Sequence, residues 1–508
     1  MNTRSKDWLG YLFATLAGAI VTLSLAPFNL WPLGIISTAL LAWLLAGQTP
    51  LQAAKLGWFY GLGLFGSGSS WVYVSIHVYG HASLPLAMLL TLIFSAGLAL
   101  LTSATCYAYT RWLRSLPTGQ TLGFATAFVL GEWLRSWFLT GFPWLYLGYA
   151  HLDTPLAGWA PVAGVFAISF IVALSGAVIA NGVKQRSILA KPVLVPFAIV
   201  ILLWLTGFAL KQIDWVYPAD KPPVKIAMVQ ANIPQDIKWD RDQYWPTLKL
   251  YQQMSASLWD QADIVIWPEA AIPGIYQVAK PFLDEISEQA AAANTSLITG
   301  LPYYYPQTDT QPARYHNSVM ALGAGSGTYH KQRLVPFGEY VPLEGLLRGL
   351  IDFFDLPMSA FTSGSADQAL LTAGDITLAP LICYEVVYPD LSADWLPQAD
   401  MLLTISNDAW FGHSIGPLQH LQMAQMRALE GGRYMLRATS TGISAIIDQR
   451  GHITTQGQQF SKTVITGEAL VYSGTTPFAR FGNRLIIVVC FAIGISLMVI
   501  AAKMRRKF

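Results

Sequence analysis

Long apolar runs dominate this chain and restrict the folds that it can adopt. Seven of them lie before residue 211, and an eighth stands alone near the C-terminus. A helix needs about 20 predominantly apolar residues to cross a bilayer, and most of the runs approach that length. We therefore expect an α-helical membrane domain of about eight transmembrane helices. The runs are Leu9–Ala26, Trp31–Ala46, Leu56–Ile76, Leu84–Trp112, Leu122–Phe138, Trp159–Ile179, Pro192–Leu210 and Leu485–Ala502.

The composition agrees with a membrane protein and excludes several other classes. The chain is 53% hydrophobic and 12% charged, whereas soluble domains carry about 25% charged residues. The formal net charge is only +2, and no basic patch with interleaved aromatic residues is present. Neither zinc-ligand spacing nor a phosphate-binding glycine loop occurs. The sequence therefore predicts no nucleic-acid partner, no metal and no cofactor.

Lysine and arginine positions predict the orientation in the membrane. Basic residues occupy alternate connections between the apolar runs and also close the chain, whereas the intervening connections contain none. Basic connections favour the cytoplasmic side. We therefore expect a multi-pass membrane protein with both termini in the cytoplasm. The connection after Leu210 then lies on the outer side of the membrane. The basic positions are Arg4, Lys6, Lys55, Arg111, Arg114, Lys184, Arg186, Lys191, Lys503, Arg505, Arg506 and Lys507.

The sequence pattern changes between the seventh and eighth apolar runs. Short β-branched runs alternate there with amphipathic segments, which is typical of a layered α/β domain. The predicted domains are residues 1–220 (seven spans), residues 221–475 (an α/β domain on the outer side of the membrane) and residues 476–508 (a final span with a cytoplasmic tail). The predicted strands are Lys225–Val229, Ile264–Trp267, Ser296–Thr299, Ser318–Leu322, Thr377–Ile382, Met401–Ile405, Ile443–Ile447 and Thr463–Glu468. The predicted helices are Asp240–Ala262, Pro281–Ala293 and Pro417–Met435.

A lone cysteine ends one of these predicted strands. Cys383 follows the apolar run Leu378–Ile382 and precedes the turn-like Tyr388-Pro389-Asp390. A thiol at such a strand-to-helix elbow is well placed for nucleophilic catalysis. Buried structural cysteines are also common, and Pro380 argues against a central strand. The other two cysteines, Cys106 and Cys490, lie in apolar runs, so the sequence predicts no disulfide for Cys383.

Two further segments place reactive groups after apolar runs. In Ile264-Val265-Ile266-Trp267-Pro268-Glu269, the proline ends the strand and the carboxylate follows it. The second segment runs from Tyr329 to Glu339 and contains Lys331. Taken singly, the first segment is better explained by a glutamate in a surface turn, and the second by a solvated basic loop.

Together the three segments resemble the nitrilase, or carbon–nitrogen hydrolase, superfamily. That family uses Glu, Lys and Cys in this chain order, with a second Glu shortly after the Lys. The resemblance implies an αββα sandwich in which Glu269, Lys331 and Cys383 are catalytic and Glu339 supports them. It extends to Asn317 in His316-Asn317-Ser318, to Asn407-Asp408 and to Arg427-Ala428-Leu429-Glu430.

Residue chemistry gives these groups expected roles. A thiol with a pKa near 8.5 is mostly protonated at neutral pH, so a carboxylate must remove its proton. We expect Glu269 to act as general base and later as general acid. Lys331 would stabilise the oxyanion together with the backbone N–H that follows Cys383. Glu339 would orient Lys331, while Tyr384 and Glu385 would shape the pocket.

The membrane context narrows the resemblance to bacterial apolipoprotein N-acyltransferases over essentially the whole chain. The strings Val229–Gln235, Leu334–Glu339 and Ile382–Glu385 look like that family's, and Trp239 matches a tryptophan that the family needs. The resemblance implies transfer of an acyl chain through a Cys383 thioester. The donor would be a membrane phospholipid, typically phosphatidylethanolamine. The acceptor would be the α-amino group of a diacylglyceryl-cysteine at a lipoprotein N-terminus. We expect the enzyme to act as a monomer.

Two other functions fit parts of the sequence. A membrane-tethered amidase would use the same residues on a small amide, but it would not need eight spans. A transporter would carry ionisable residues within its spans. Only Glu132 and Arg135 stand out there, and we expect them to pair with each other.

The segment Leu343–Phe361 is rich in large apolar residues and has few charges. It predicts an amphipathic arm at the membrane surface that guides acyl chains to Cys383. A helix packed in the core of the catalytic domain is the alternative, because Leu346, Leu347, Leu350, Ile351 and Phe354 follow helical spacing.

Overall fold

The computed structural model describes residues 3–186, 191–342 and 360–505 of the chain. Most of the predicted arm, Leu343–Phe361, therefore lies outside the described residues. Contacts between residues divide the chain into two compact units. The helical unit comprises Met1–Tyr73, Ser83–Asp214 and Phe481–Phe508. The layered unit comprises Val74–Ala82 and Trp215–Arg480.

The helical unit is built from apolar helices. Within the described residues, four helical segments are long and apolar enough to cross a membrane: Leu84–Leu113, Pro155–Lys184, Val193–Leu210 and Arg484–Arg505. Trp8–Ser24 and Pro32–Leu45 are apolar but shorter, so the full set of eight spans stays a prediction. The α-helices are α1 Thr3–Ala19, α2 Val21–Ser24, α3 Pro32–Leu45, α4 Pro50–Gly68, α5 Val72–Val74, α6 Leu84–Ala108, α7 Leu122–Trp137, α8 Ala160–Lys184, α9 Lys191–Leu210 and, near the C-terminus, α15 Arg484–Arg505.

Glycines let helices α1 and α4 pack backbone against backbone. A Cβ atom added at Gly63 would lie 1.9 Å from the carbonyl oxygen of Thr15. A Cβ atom added at Gly18 would lie 1.9 Å from the carbonyl oxygen of Tyr60. Small residues at helix contacts are the usual means of close packing between apolar helices. This contact therefore depends on the absence of two side chains.

Two large sheets form the framework of the layered unit. The seven-stranded sheet has the order β13-β12-β11-β10-β9-β8-β6, and the six-stranded sheet has the order β14-β2-β3-β4-β5-β7. Strands β1 and β15 form a separate pair. The strands are β1 Val216–Pro218, β2 Val224–Gln230, β3 Ile264–Ile266, β4 Ser296–Tyr305, β5 Arg314–Gly323, β6 Gly325–Ser326, β7 Thr328–His330, β8 Leu371–Ala373, β9 Ile376–Ile382, β10 Met401–Ser406, β11 Met435–Thr439, β12 Ala445–Ile447, β13 Ile453–Gln456, β14 Thr463–Ala469 and β15 Tyr472–Gly474.

The two large sheets pack against each other and carry helices on their outer faces. A Cβ atom added at Gly300 of β4 would touch Ile405 of β10, and one added at Gly467 of β14 would touch Ile446 of β12. Buried residues of α10 and α11 form a core with strands β2, β3 and β4. This is the four-layer arrangement predicted for the catalytic domain. The remaining helices are α10 Tyr244–Ser255, α11 Tyr276–Ala292, α12 Pro389–Trp395, α13 Gly416–Gly431 and α14 Pro477–Phe481.

Pro380 lies inside β9 even though it lacks a backbone donor. Strand β9 pairs with β8 only over Ile376–Leu378, whereas its parallel pairing with β10 continues to Ile382. Pro380 therefore has a paired neighbour on one side only, an edge-like position that tolerates proline.

All three predicted helices have different bounds in the structure. The helix predicted for Pro281–Ala293 is α11, which begins earlier, at Tyr276, and contains Pro281. The predicted helix Asp240–Ala262 is a short 3₁₀ turn followed by α10, which ends at Ser255. The predicted helix Pro417–Met435 ends at Gly431, because Gly432 takes a left-handed conformation (φ +61°) that caps it. Met435 instead begins β11, a strand that the sequence pattern did not predict.

Candidate active site

Cys383 stands at a sharp elbow directly after β9. The backbone turns there into a 3₁₀ helix spanning Cys383–Val387. Cys383 itself has φ +52°, a left-handed conformation that residues with a side chain rarely adopt. Its side chain is partly exposed, whereas Ile382 before it and Val386 after it are fully buried. The fold thus presents the thiol at the end of a buried central strand.

Lys331 lies between two carboxylates. Its Nζ is 2.9 Å from Glu339 Oε1 and 3.5 Å from Glu269 Oε1. Lys331 is only 1% exposed, so the ammonium is removed from water and neutralised by these neighbours. Glu269 and Glu339 lie 62 and 8 positions from Lys331 along the chain. The ends of β3 and β7 in the six-stranded sheet bring them together.

Amide groups fix both carboxylates from the other side. Asn317 Nδ2 donates to Glu269 Oε1 and to Glu339 Oε1, each at 2.7 Å. The backbone N–H of Asn407, just after β10, donates to Glu269 Oε2 at 2.7 Å. The backbone N–H of Val335 donates to Glu339 Oε2 at 2.8 Å. Each carboxylate is therefore held in one orientation.

Glu385 ties the cysteine elbow to the lysine loop. Its Oε1 accepts from Tyr329 Oη at 2.9 Å and from the backbone N–H groups of Gln332 and Arg333 at 2.6 and 3.1 Å. Its Oε2 accepts from the Ile382 N–H at 2.7 Å. Burial raises the pKa of Glu385 to about 7, although these backbone donors oppose the rise.

The electrostatics of the site favour a protonated thiol beside a charged lysine. Burial raises the pKa of Cys383, the Glu269 carboxylate raises it further, and the Lys331 ammonium opposes both. Burial alone would lower the pKa of Lys331, but Glu339 and Glu269 outweigh it and hold that pKa above its usual value. A base would therefore have to remove the thiol proton in any reaction that uses Cys383 as a nucleophile.

Tyr384 and Trp239 are less directly connected to these groups. Tyr384 is buried, and its ring meets that of Tyr388 edge to face at 5.3 Å. The indole Nε1 of Trp239 is buried without a hydrogen-bond partner among the described residues. The side chain of the preceding residue does reach the site, because Lys238 Nζ donates to the carbonyl oxygen of Glu269 at 3.3 Å.

Lys238 and His420 are site residues that the sequence pattern did not reveal. Lys238 is 1% exposed, and its burial lowers its pKa to about 8. His420 Nε2 lies 3.1 Å from the carbonyl oxygen of Cys383. No sequence spacing links either residue to the segments that contain Glu269, Lys331 and Cys383. Lys238 stood out only as the neighbour of Trp239.

Glu132 and Arg135 do not form the predicted pair. Glu132 Oε1 accepts from the backbone N–H of Leu147 at 3.1 Å, and Arg135 donates to the carbonyl oxygen of Trp144. The Arg135 guanidinium also stacks over the rings of Phe65 and Tyr146. Among the described residues no ion pair joins the two side chains. The predicted ion pair was wrong: Arg135 contacts a backbone carbonyl and two aromatic rings, and Glu132 accepts from a backbone N–H through one of its two carboxylate oxygens.

The metal-ligating residue types do not cluster in the described ranges. Residues 3–186, 191–342 and 360–505 contain no group of three or more His, Cys, Asp or Glu side chains arranged to hold a metal ion. The buried charges near Cys383 instead neutralise one another.

Comparison with known families defines the class of this protein. Residues 225–471 match the carbon–nitrogen hydrolase family, and residues 17–179 match the apolipoprotein N-acyltransferase N-terminal domain. Several solved structures align with about half of this chain. One is a CN-hydrolase superfamily protein from Xanthomonas campestris, 18% identical over 49% of this chain and 91% of that one, with a TM-score of 0.37.

Curated relatives identify the family over nearly the whole length. Apolipoprotein N-acyltransferases from Pseudomonas syringae and Azotobacter vinelandii are each 48% identical, covering 95% and 93% of this chain and 95% and 92% of those proteins. The enzyme of the same name from Vibrio parahaemolyticus is 39% identical over 93% of both chains. The chain belongs to the apolipoprotein N-acyltransferase family.

Proposed function

We propose that this protein transfers an acyl chain from a membrane phospholipid to the N-terminal diacylglyceryl-cysteine of apolipoproteins through a Cys383 thioester. One observation carries the chemistry: a buried Lys331, held between Glu269 and Glu339, stands beside a thiol at a strained elbow. A family relationship over both units supports the substrate class, because the named relatives act on apolipoproteins.

The first half-reaction forms the thioester. Glu269 takes the thiol proton as Cys383 Sγ attacks the ester carbonyl of the phospholipid, phosphatidylethanolamine in our proposal. Lys331 and the Tyr384 N–H stabilise the oxyanion of the tetrahedral intermediate. The C–O bond then breaks, and the protonated Glu269 returns its proton to the departing lyso-phospholipid. Glu339 and Asn317 keep Lys331 and Glu269 in place.

The second half-reaction releases the product. The neutral α-amino group of the acceptor attacks the thioester carbonyl, and the same donors stabilise the second oxyanion. The amine loses a proton to Glu269, the C–S bond breaks, and Glu269 returns that proton to the departing Cys383 sulfur, which restores the thiol and the carboxylate. No outside source of energy is required, because a thioester is already activated toward an amine. The cycle is of the ping-pong type.

The proposed architecture follows from the apolar runs and the basic connections. Residues 1–220 would form seven spans, residues 221–475 the periplasmic catalytic domain, and residues 476–508 the last span and cytoplasmic tail. The protein would act as a monomer in the inner membrane, with both termini in the cytoplasm. Both lipid substrates are anchored in a bilayer, which supports a catalytic domain tethered by many spans.

Labelling of introduced cysteines tests this orientation. The exposed Gln307–Gln311 loop should react with an impermeant thiol reagent in spheroplasts when one of its residues is replaced by cysteine. As a matched control, Gln185→Cys, in an exposed basic connection, should react only after the inner membrane is lysed. The reverse pattern would place the catalytic domain in the cytoplasm.

Hydrolysis of a small amide is the second candidate, because the layered unit belongs to the carbon–nitrogen hydrolase class. Purified protein with phosphatidylethanolamine and no nucleotide distinguishes the two. Acyl transfer predicts stoichiometric lyso-phospholipid and further release when a diacylglyceryl-cysteine peptide is added. Amide hydrolysis without any lyso-phospholipid would reject the acyltransferase proposal.

A further inference from the structure

A buried imidazole holds the peptide group of the nucleophile, and the reaction proposed above does not use it. His420 lies on α13, is fully buried, and brings its Nε2 to 3.1 Å from the carbonyl oxygen of Cys383. A carbonyl oxygen can only accept a hydrogen bond, so Nε2 carries the hydrogen and donates it. The nucleophile is thus anchored by a side chain 37 residues further along the chain.

A buried guanidinium fixes the orientation of that imidazole, and a buried carboxylate holds the guanidinium. Because the ring hydrogen is on Nε2, Nδ1 accepts from Arg437 Nη2 at 3.2 Å. Asp408 Oδ2 accepts from the same Nη2 at 2.6 Å, and Asp408 Oδ1 accepts from Ser406 Oγ, also at 2.6 Å. These four side chains are at most 1% exposed. Their hydrogen bonds leave the ring little freedom to rotate, so the position of Nε2–H is set before any substrate binds.

The hydrogen bond from His420 to the Cys383 carbonyl also controls the direction of the Tyr384 N–H. A trans peptide is planar, and its C=O and N–H point in opposite directions. Fixing the Cys383 carbonyl therefore also fixes the Tyr384 N–H, which belongs to the same peptide. The left-handed φ of +52° at Cys383 is unfavourable by itself. An external hydrogen bond is needed to hold this peptide in one orientation.

We propose that His420 is a positioning residue that aims the Tyr384 N–H at the oxyanion by holding the Cys383 carbonyl. This inference rests on the proposed function, in which that N–H and Lys331 stabilise the tetrahedral intermediates. His420 touches neither substrate nor the reacting sulfur. Its contribution is to the orientation of a donor, which must be correct when negative charge develops on the oxygen.

A pair of variants of similar size separates this role from simple packing. In His420→Gln the side-chain amide places an N–H close to the position of the imidazole Nε2–H. In His420→Met the side chain fills comparable space without a donor. Both are made in a Cys106→Ala, Cys490→Ala background so that Cys383 is the sole thiol. His413→Gln serves as the control, since His413 is exposed and packs on Phe460.

Two reactions of the same sulfur report on the oxyanion donor. Acylation by phosphatidylethanolamine in detergent micelles passes through an oxyanion and is followed by intact-protein mass spectrometry. Alkylation by iodoacetamide attacks a saturated carbon and forms no oxyanion. We expect the acylation rate of His420→Met to fall about 10- to 100-fold, which is less than the loss seen when an oxyanion donor is deleted outright. Its alkylation rate should stay within about threefold of the rate before the substitution. His420→Gln should recover most of the acylation rate.

Several outcomes would overturn the inference. Equal losses of acylation and alkylation in His420→Met would mean that His420 places the sulfur instead. Unchanged acylation, or a Gln variant no better than Met, would remove the positioning role. Should His420→Met lose its cooperative thermal transition, His420→Asn replaces it: its shorter amide cannot reach the carbonyl, and normal acylation would reject the inference. Absence of any acyl adduct on wild-type Cys383 would reject the proposed function itself.

Discussion

The helical unit and the layered unit achieve close packing in opposite ways. In the helical unit, α1 and α4 touch through Gly18 and Gly63, where a single added carbon would collide with backbone. In the layered unit, Glu269, Lys331 and Glu339 bury their charges and satisfy them with one another and with amide donors. The contact between α1 and α4 requires that Gly18 and Gly63 have no side chains, whereas the charged cluster requires particular side chains. Substitutions should therefore affect stability in one unit and chemistry in the other.

The thiols give the largest contrast between the units. Cys383→Ala should abolish lipoprotein acylation, a loss of at least ~10³-fold, because the nucleophile is removed. Cys383→Ser should be nearly inactive too, since a hydroxyl is much harder to ionise. Cys106→Ala and Cys490→Ala, both in the helical unit, should retain activity. Activity is measured as conversion of a diacylglyceryl-cysteine peptide. A working Cys383→Ala enzyme would remove the distinction between the units.

Replacing Lys331 by arginine should abolish turnover without unfolding the protein. The planar guanidinium is wider than an ammonium and cannot serve as a compact donor between Glu269 and Glu339. We expect turnover to fall about 10²- to 10³-fold, the cost of losing one oxyanion donor. Lys280→Arg is the matched control, because Lys280 forms an exposed ion pair with Asp284. Near-normal turnover by Lys331→Arg would show that the lysine only balances charge.

Gly63→Ala should act on stability instead. The new methyl group would meet the Thr15 carbonyl, so α1 and α4 must separate, at a cost of about 1–3 kcal/mol. Gly66→Ala on the same helix is the control, since no atom lies within 4 Å of an added Cβ. It should be neutral or slightly stabilising. Thermal unfolding in detergent compares the two, and equal melting temperatures would contradict the packing account.

The smallest expected effect is a shift in the pH dependence of Cys383 alkylation. The Glu269 carboxylate raises the pKa of the thiol, and the Lys331 ammonium lowers it. Glu269→Gln should therefore form the thiolate at lower pH, while Lys331→Met should require higher pH. Alkylation rates with iodoacetamide, measured across pH in the variant that keeps only Cys383, give both midpoints. Shifts in the opposite directions would show that the carboxylate and the ammonium do not act on this sulfur.

The sequence predicted the residues of the site better than the contacts that hold it. Glu269, Lys331 and Cys383 follow strands that end abruptly, and this local signal is readable from the chain. The bond from His420 to Cys383 arises only when α13 folds onto the end of β9, so no local pattern could reveal it. Pro380 argued wrongly against a central strand for a related reason. Strand β9 stops pairing with β8 before Pro380, and this depends on the fold and not on the local sequence.

The helical unit was harder to predict in detail. Hydropathy located the apolar helices, but it does not report the helix contacts, which depend on glycines such as Gly63. The pairing predicted for Glu132 and Arg135 failed because their spacing on one helix face did not reveal the backbone groups supplied by Trp144 and Leu147. Those groups come from an irregular segment whose course is set by tertiary packing.

The thioester on Cys383 is the central claim, and intact-protein mass spectrometry tests it most directly. Purified wild-type protein incubated with a phosphatidylethanolamine of defined acyl chains should gain the mass of one acyl group. Peptide mapping should place that group on Cys383, and hydroxylamine should remove it. Addition of a diacylglyceryl-cysteine peptide should discharge it to the peptide's α-amino group. A wild-type enzyme that acylates the peptide while Cys383 never carries the acyl group would contradict the account.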